Sequence, residues 1–237
     1  MNKKKISLLV ILTALFVALV ALMIFLFGFY LPKKSEQAEL ERLVREYYEN
    51  KLSTYREENE RYSDYEIDVA FLGDSLTDGC DLQKYYPEYN IANRGIGGET
   101  TFGLEERLET SIYDLKPKIA VVLIGGNNLD TMLQNYENII VGIRENLPDT
   151  KIIICSLTAM GGELKEKNKI AALNNVTLKK LAAKHECTFV DVFTPLFDES
   201  TREIYASFTT DGAHLTHEGY SVLTGEIKRA IEDLLLP

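Results

Sequence analysis

Two polar segments of the chain carry the residue types needed for catalysis by a serine nucleophile. Gly73-Asp74-Ser75-Leu76 follows an apolar run rich in strand formers, which places a hydroxyl where a buried strand ends. A serine hydroxyl is protonated at neutral pH and needs a base within hydrogen-bond reach. Asp211-Gly212-Ala213-His214 supplies an imidazole three residues after a carboxylate. Residues three apart on a helical turn share a face, so Asp211 can orient His214 toward Ser75.

Two further segments can supply hydrogen-bond donors to a developing negative charge. Asn93-Arg94-Gly95-Ile96-Gly97-Gly98-Glu99-Thr100 and Gly125-Gly126-Asn127-Asn128 each follow a strand-like run. The backbone N–H groups of Ser75 and Gly98 and the side-chain amide of Asn127 could converge on one oxyanion.

Asp74 and Arg94 are further candidates for contact with a substrate. Asp74 is next to the serine, where its carboxylate could equally bond loop amides. Arg94 could meet an anionic or sugar substrate, and a surface salt bridge is an equal alternative for it.

Simpler roles stay open for the same residues. Ser75 stands at a strand-to-helix junction, where serine is a common N-cap, and Asp211 with His214 could cap the last helix. Asp211, His214 and His217 at three-residue steps could also hold a metal ion. We expect no metal site, because ligation would consume the lone pair that the base needs.

The elements that must position these segments alternate between strand and helix. The predicted strands are Asp68–Leu72, Tyr89–Ala92, Ile119–Ile124, Lys151–Ser156 and Thr188–Val192. The predicted helices are Phe102–Leu115, Asn135–Leu147, Asn168–His185 and His217–Leu235. Runs such as Ile119-Ala-Val-Val-Leu-Ile are apolar on both faces, as in a parallel sheet covered by helices. The pattern predicts a three-layer α/β domain with about five parallel strands.

Charge and cysteine content narrow the function classes. The formal net charge of −10 argues against nucleic acid as a partner, because phosphate binding needs a basic footprint. The three cysteines, Cys80, Cys155 and Cys187, form no even framework, and the last two lie in or beside strand-like runs. We expect those two to be small buried thiols and assign no redox role to Cys80.

The N-terminal apolar stretch, residues 6–31, predicts a membrane-spanning signal anchor. A helix of this length covers about 39 Å, more than the roughly 30 Å hydrocarbon core, and no small-residue cleavage site follows it. Lysines 3–5 favour a cytoplasmic N-terminus at residues 1–5, which puts the catalytic domain outside the cell on a single-pass membrane protein. The remaining boundaries are a juxtamembrane segment at 32–64 and the α/β domain at 65–237.

The charged segment at residues 35–62 carries apolar residues at three- and four-residue steps, which predicts an amphipathic helix. Such a helix could form a homodimer as a stalk or lie against its own domain. The repeat is too short to establish a coiled coil.

Taken together, the four polar segments resemble those of the SGNH (GDSL) hydrolase family, over the region from Asp68 to the C-terminus. The resemblance implies a flavodoxin-like fold and an esterase, lipase, thioesterase or carbohydrate acetylesterase activity, with no metal or cofactor. It implies Ser75 as nucleophile and oxyanion-hole donor, Gly98 and Asn127 as further donors, and His214 oriented by Asp211 as general base and then acid.

The chain departs from that family at two positions. Asn128 stands where the family usually has Asp, so the loop that carries Asn127 lacks the carboxylate that supports it in other members. His217 stands where many members have proline. The Gly-x-Ser-x-Gly elbow of the α/β-hydrolases is absent, because Gly79 lies too far from Ser75.

These observations predict a membrane-anchored serine esterase that acts on small acyl esters. An acetyl group on a carbohydrate or cell-envelope polymer is the favoured substrate, because no segment long enough to form an apolar lid separates the motifs. The alternatives are a lipase, lysophospholipase or thioesterase of the same family, or a catalytically silent module that binds a glycan or a protein.

Overall fold

The computed structural model describes residues 3–235 of the chain. The backbone contacts divide the chain into two compact units, Met1–Lys51 and Leu52–Pro237. The motifs that could carry chemistry all lie in the second unit.

The first unit is helical. It contains α1 (Lys3–Phe25), a π-helical turn at Leu26–Tyr30, and the start of α2 (Leu31–Asn59). α2 runs without interruption across the boundary predicted between residues 31 and 32. Pro32 lacks only a backbone N–H, and the first turn of a helix does not need that donor. The wide turn before it is closed by the N–H of Leu31 bonding to the carbonyl of Leu26.

This N-terminal helix is long and apolar enough to cross a membrane. Over the described residues, the helix Ala14–Asn59 contains an 18-residue window with a mean hydropathy of 2.7, and none of that window is buried. A signal sequence near the N-terminus would meet the same criteria of length and composition.

Farther along the first unit, α2 exposes an apolar stripe. Leu40, Leu43, Val44 and Tyr47 recur at helical spacing and are all exposed. Arg42 on the same helix forms surface ion pairs with neighbouring glutamates, which add little stability because water screens them.

A five-stranded parallel sheet forms the centre of the second unit, in the order β2-β1-β3-β4-β5. Its strands are β1 (Val69–Gly73), β2 (Ile91–Gly95), β3 (Ile119–Leu123), β4 (Lys151–Cys155) and β5 (Thr188–Val190). The prediction of a three-layer α/β domain with about five parallel strands is confirmed. The first and third strands are buried throughout, which explains their unbroken apolar sequence.

Helices cover both faces of this sheet. The helices of the second unit are α3 (Ser75–Asp78), α4 (Leu82–Tyr85), α5 (Thr101–Glu106), α6 (Tyr136–Asn146), α7 (Asn168–Lys184) and α8 (His217–Leu235). Successive strand residues point to opposite faces, so Val122 joins an apolar cluster with α6 and α7, and Val121 joins one with α8. This packing of helices shields both faces of the sheet from water and fixes the positions of the strand ends.

Some elements differ from the sequence prediction. The helix predicted at Phe102–Leu115 ends at Glu106, and a π-helical turn, Glu109–Tyr113, follows. An unpredicted antiparallel hairpin pairs β6 (Phe197–Asp198) with β7 (Glu203–Ile204). Short 3-10 segments lie at Gly126–Asn128, Met132–Gln134, Gly162–Lys167, Thr194–Leu196 and Ala206–Phe208.

The C-terminal end of α2 belongs to the second unit. Leu52 and Tyr55 are buried there, and the Tyr55 hydroxyl donates to the carbonyl of Gly95 at 2.6 Å. Asn59 donates through its side-chain amide to the carbonyl of Thr110 at 2.7 Å. These contacts attach the end of α2 to the end of β2 and to the π-helical turn Glu109–Tyr113.

The cysteines are unpaired, and Cys80 and Cys155 are buried while Cys187 is partly so. Burial raises the pKa of the Cys80 and Cys155 thiols to about 12, so both stay protonated and unreactive at neutral pH.

Candidate active site

Ser75 is the first residue of α3, directly after the turn that ends β1. Asp74 is the N-cap of this short helix, and its Oδ1 accepts from the backbone N–H of Leu76 at 3.1 Å. The capping role considered for Ser75 is therefore taken by Asp74, and the Ser75 hydroxyl lies within hydrogen-bond distance of His214 instead. Gly73 fits here because a Cβ would overlap Thr77 Oγ1.

A loop before α8 brings a carboxylate and an imidazole to the same place. Asp211 Oδ2 lies 2.7 Å from His214 Nδ1, and His214 Nε2 lies 3.0 Å from Ser75 Oγ. The other oxygen, Asp211 Oδ1, accepts from the backbone N–H groups of Ala213 at 2.9 Å and His214 at 2.8 Å. The carboxylate therefore fixes the loop with one oxygen and the ring with the other.

Gly212 allows this loop to approach a neighbouring segment. It has a φ of +91°, and a Cβ there would overlap the carbonyl of Gly161. The Gly161 N–H donates to the Gly212 carbonyl at 2.8 Å. Only glycine combines the left-handed backbone with this close approach.

The environment keeps Asp211 ionised. Hydrogen bonds from the His214 side chain, and then from the backbone N–H groups of His214 and Ala213, hold the pKa of Asp211 well below its usual range. The side chains of Asp211 and His214 are 53% and 51% exposed. A reacting group can therefore reach the imidazole from solvent, and water weakens the attraction between the two charges.

Gly98 and Asn127 lie in the loops after β2 and β3, the two strands that flank β1 in the sheet. Gly98 is exposed, has a φ of +77° and has open space on the side where a Cβ would lie. The Asn127 amide nitrogen donates to the backbone carbonyl of Glu99 at 2.8 Å. That nitrogen carries two hydrogens, so one bond to Glu99 orients the amide and leaves the second hydrogen for a substrate oxygen.

Asn128 supports the Asn127 loop in place of the family's usual Asp. Its Nδ2 donates to the hydroxyls of Thr101 at 2.9 Å and Thr131 at 3.3 Å. Its Oδ1 accepts from the backbone N–H of Thr101 at 3.3 Å. An amide can both donate and accept, so it connects the two loops where a carboxylate could only accept.

Asp74 is 5% exposed and lines the same pocket as Ser75. Burial raises its pKa to about 6, against the opposing effects of the Leu76 N–H and the nearby His214. Its carboxyl is therefore close to half protonated in mildly acidic solution.

The pocket over Ser75 and His214 has a volume of about 180 Å³. Its lining residues are Asp74, Ser75, Leu76, Gly126, Asn127, Thr158, Met160, Leu164, Lys167, Ala213 and His214. A larger cavity of about 560 Å³, lined partly by Phe193, Phe197 and Arg202, contains none of the candidate residues. We assign the site to the smaller pocket because the serine and the imidazole both open into it.

Arg94 has to be removed from the candidates for substrate contact. Its side chain is 0% exposed, and its guanidinium pairs with Glu58, donates to Asn59 Oδ1 at 3.0 Å and stacks over the Tyr55 ring. A side chain buried in this way cannot meet a substrate. The salt bridge considered for it exists, but in the interior.

His217 does not join the Asp211–His214 pair. Its Nδ1 lies 2.6 Å from the Tyr85 hydroxyl, and its ring contacts the Tyr85 ring. Across residues 3–235, no group of three or more His, Cys, Asp or Glu side chains is arranged to hold a metal ion.

Sequence reasoning missed the residues that close the pocket, namely Thr158, Met160, Leu164 and Lys167. All four follow β4, and the loop after a parallel strand was the available signal. That loop carries no glycine–asparagine pattern like the other segments, so nothing in its composition singled it out.

Comparisons with known proteins show the family of the chain. The model of the GDSL-like lipase/acylhydrolase family matches residues 71–222, which is more than half of the chain. No curated protein matches the sequence significantly.

Solved structures share the fold. A Streptococcus pneumonia protein provisionally described as a platelet activating factor is 27% identical, with a TM-score of 0.73 over 84% of this chain and 99% of that one. A GDSL-like lipase from Bacteroides thetaiotaomicron is 24% identical, with a TM-score of 0.68 over 78% of this chain and 98% of that one. An acetylxylan esterase from Geobacillus stearothermophilus is 21% identical, with a TM-score of 0.59 over 71% of this chain and 95% of that one.

The order of the motifs, the parallel sheet that brings them to one edge and the family match lead to the same assignment. The chain belongs to the GDSL-like lipase/acylhydrolase family, the SGNH hydrolases, and is an ester-hydrolysing enzyme.

Proposed function

We propose that the protein is a membrane-anchored serine esterase that removes small acyl groups, with acetyl groups on a carbohydrate or cell-envelope polymer as its substrates. The observation that carries the proposal is the hydrogen-bond chain from Asp211 through His214 to Ser75, with separations of 2.7 and 3.0 Å. These distances suit proton transfer between nucleophile and base.

In the proposed mechanism, Ser75 Oγ attacks the acyl carbon while His214 Nε2 takes its proton. The tetrahedral intermediate collapses, the bond to the alcohol oxygen breaks, and the imidazolium returns the proton to that oxygen. Water activated by His214 then hydrolyses the acyl-enzyme and regenerates Ser75. Asp211 holds the imidazole in the tautomer whose Nε2 can accept, and stabilises the imidazolium when it forms.

The oxyanion of each tetrahedral intermediate is stabilised by the N–H groups of Ser75 and Gly98 and the amide of Asn127. The orientation of the Asn127 amide by Glu99 supports this role, because preorganised donors cost no rearrangement during the reaction.

The size of the pocket favours a short acyl group. Its volume of about 180 Å³ is below the roughly 300–1,000 Å³ that drug-sized ligands occupy. Met160 and Leu164 supply an apolar wall that suits a methyl group. The acetylxylan esterase with the same fold acts on an acetylated carbohydrate, which fits this substrate class.

The test is a panel of esters given to the full-length protein in detergent. We expect 4-nitrophenyl acetate and acetylated xylo-oligosaccharides to be hydrolysed faster than 4-nitrophenyl octanoate, and Ser75→Ala to abolish turnover. Ser207→Ala, at an exposed serine outside the pocket, is the matched control. Wild-type turnover in Ser75→Ala would overturn the mechanism. Faster hydrolysis of octanoate would favour a lipase, faster hydrolysis of an acetyl thioester would favour a thioesterase, and no turnover of any ester would favour a silent binding module.

Membrane anchoring through the N-terminal helix is part of the proposal, with the catalytic domain outside the cell. The apolar, unburied helix supports it, together with lysines 3–5 before the helix. Protease added to intact cells should then remove the catalytic domain, and a domain protected until lysis would contradict this orientation.

The exposed stripe of Leu40, Leu43, Val44 and Tyr47 supports self-association as a further proposal. Analytical ultracentrifugation of the full chain in detergent should show a dimer, which a variant lacking residues 35–51 should not form. A monomeric full chain would exclude it.

A further inference from the structure

One buried arginine, Arg107, connects the segments that carry the proposed oxyanion donors. Its side chain is 1% exposed. Its Nη2 donates to the carbonyl of Gly73 at 3.2 Å, and its Nη1 donates to the carbonyl of Arg94 at 2.9 Å. Its Nε donates to Glu99 Oε2 at 3.0 Å, in an ion pair whose carboxylate is 9% exposed.

Two of these acceptors, on Gly73 and Glu99, are close to a proposed donor along the chain. Gly73 ends β1, two residues before Ser75, whose N–H is the first donor. Glu99 directly follows Gly98, whose N–H is the second. A single planar guanidinium therefore fixes the end of β1 relative to the loop after β2.

Glu99 extends this connection to the third donor. Its backbone carbonyl accepts from the Asn127 amide at 2.8 Å, while its Oε1 accepts from the N–H of Thr100 at 3.2 Å. A movement of Glu99 would therefore displace Gly98, its chain neighbour, and at the same time turn the Asn127 amide that is bonded to its carbonyl.

The pair is better explained by positioning than by stability. Desolvation opposes the attraction in a buried ion pair, so an apolar pair of similar size is often as stable. What the pair adds is a fixed, directional geometry, and Ser111 Oγ accepts a further bond from Arg107 at 2.8 Å. Oxyanion stabilisation depends on such preorganisation.

We infer that Arg107 and Glu99 are positioning residues for the hydrolysis, which hold the three oxyanion donors in register without touching the substrate. The inference rests on the proposed function, in which Ser75, Gly98 and Asn127 supply those donors.

The test compares Glu99→Gln and Arg107→Lys with the wild-type full-length protein, using 4-nitrophenyl acetate. The fraction of competent sites is counted by the end-point of labelling with a fluorophosphonate. We expect kcat per labelled site to fall roughly 10- to 100-fold, with KM within about twofold, because a displacement of about 1 Å costs on that order in rate. The shape of the pH–rate profile should not change, since Asp211 and His214 are untouched.

Gly103→Ala provides a variant that keeps both charges. A Cβ at Gly103 would overlap Glu99 Oε1, so the carboxylate has to move. Alanine is the better helix former in α5, so we expect unchanged thermal stability together with a kcat lowered roughly tenfold. This variant keeps the inference testable if Arg107→Lys fails to fold.

Arg144→Lys is the control. Arg144 likewise donates to backbone carbonyls, those of His185 and Glu186, but it lies in α6 and contacts none of the segments that carry the oxyanion donors. Its substitution should leave kcat per labelled site unchanged. Wild-type kcat per site in Glu99→Gln and Gly103→Ala would overturn the inference, and so would an equal loss in Arg144→Lys. Turnover by Ser75→Ala would instead show that the proposed function itself fails.

Discussion

Asp211 offers a sharp test of how the candidate site works, because its two oxygens do different things. Oδ1 accepts two backbone N–H groups, from Ala213 and His214, whereas Oδ2 accepts only the imidazole Nδ1. Asparagine at this position keeps the shape of the aspartate side chain but has only one oxygen. Two backbone N–H groups and one imidazole can each donate to that oxygen. Because two hydrogen bonds outweigh one, the oxygen should stay on the backbone N–H groups and the amide nitrogen of Asp211→Asn should face His214.

That orientation disables the base. An amide nitrogen can only donate, so it selects the imidazole tautomer whose Nδ1 accepts and whose Nε2 carries the proton. Nε2 then cannot take the proton of Ser75. Alanine at Asp211 removes the carboxylate but leaves the ring free to adopt either tautomer.

The magnitudes follow from the exposure of the pair. Two unit charges at about 4 Å interact by about 1 kcal/mol in water and about 4 kcal/mol at an effective dielectric constant of 20. Since both side chains are half exposed, we expect about 1–2 kcal/mol from loss of the charge, or roughly 5- to 30-fold in kcat for Asp211→Ala. Turning the asparagine oxygen to His214 would forfeit two backbone bonds of about 1 kcal/mol each, so Asp211→Asn should lose roughly 150- to 850-fold.

The assay is the kcat for 4-nitrophenyl acetate of both variants. Asp198→Asn is the matched control, because Asp198 also accepts from a turn N–H and a hydroxyl, both of Ser200, but lies in the β6–β7 hairpin. It should keep wild-type kcat. Asp211→Asn as active as Asp211→Ala, or more so, would refute the argument from tautomers.

Three further predictions concern the loops around the pocket. Asn127→Ala should lower kcat about 10²- to 10³-fold with little change in KM, measured by steady-state kinetics, since one oxyanion donor is lost. Gly212→Ala should lower kcat about 10²-fold by displacing the loop before α8, whereas Gly225→Ala, where a Cβ has open space, should not; equal kinetics of the two would contradict this. The pKa of buried Asp74 is raised to about 6 from 3.8, so between these values the folded state holds a proton that the unfolded state releases. The contribution of this protonated carboxyl to the free energy of unfolding is therefore complete below pH 3.8 and is lost as the pH rises through 6. Urea unfolding should show Asp74→Asn gaining up to about 3 kcal/mol relative to wild type between pH 3.5 and 7, and a constant difference would contradict the burial argument.

The sequence alone predicted which segments share one edge of the sheet because three of the four motifs follow a strand. Parallel strands present their carboxyl ends at one edge, so the segments with Ser75, Gly98 and Asn127 had to lie there if the strands were assigned correctly, and the apolar runs at 69–72 and 119–123 were long enough to assign two of them. The fourth motif, Asp211 to His214, precedes the last helix, and its residue types and spacing linked it to Ser75. The β6–β7 hairpin was missed because two-residue strands show no period.

Contacts across long stretches of sequence escaped prediction. Arg94 was expected at the surface, but its partners Glu58 and Asn59 lie in α2, a segment for which a stalk and a helix lying against its own domain were both open. Neither charge pattern nor spacing reveals such a pairing. The same holds for the ion pair between Arg107 and Glu99, because a residue's position in a helix says nothing about which distant carbonyls its guanidinium will reach.

The most direct measurement of the central claim is to react the full-length protein with a fluorophosphonate and to locate the adduct by peptide mass spectrometry. We predict a single adduct on Ser75, lost in Ser75→Ala and formed far more slowly in His214→Ala. An adduct on another residue, or labelling at the wild-type rate without the imidazole, would contradict the account.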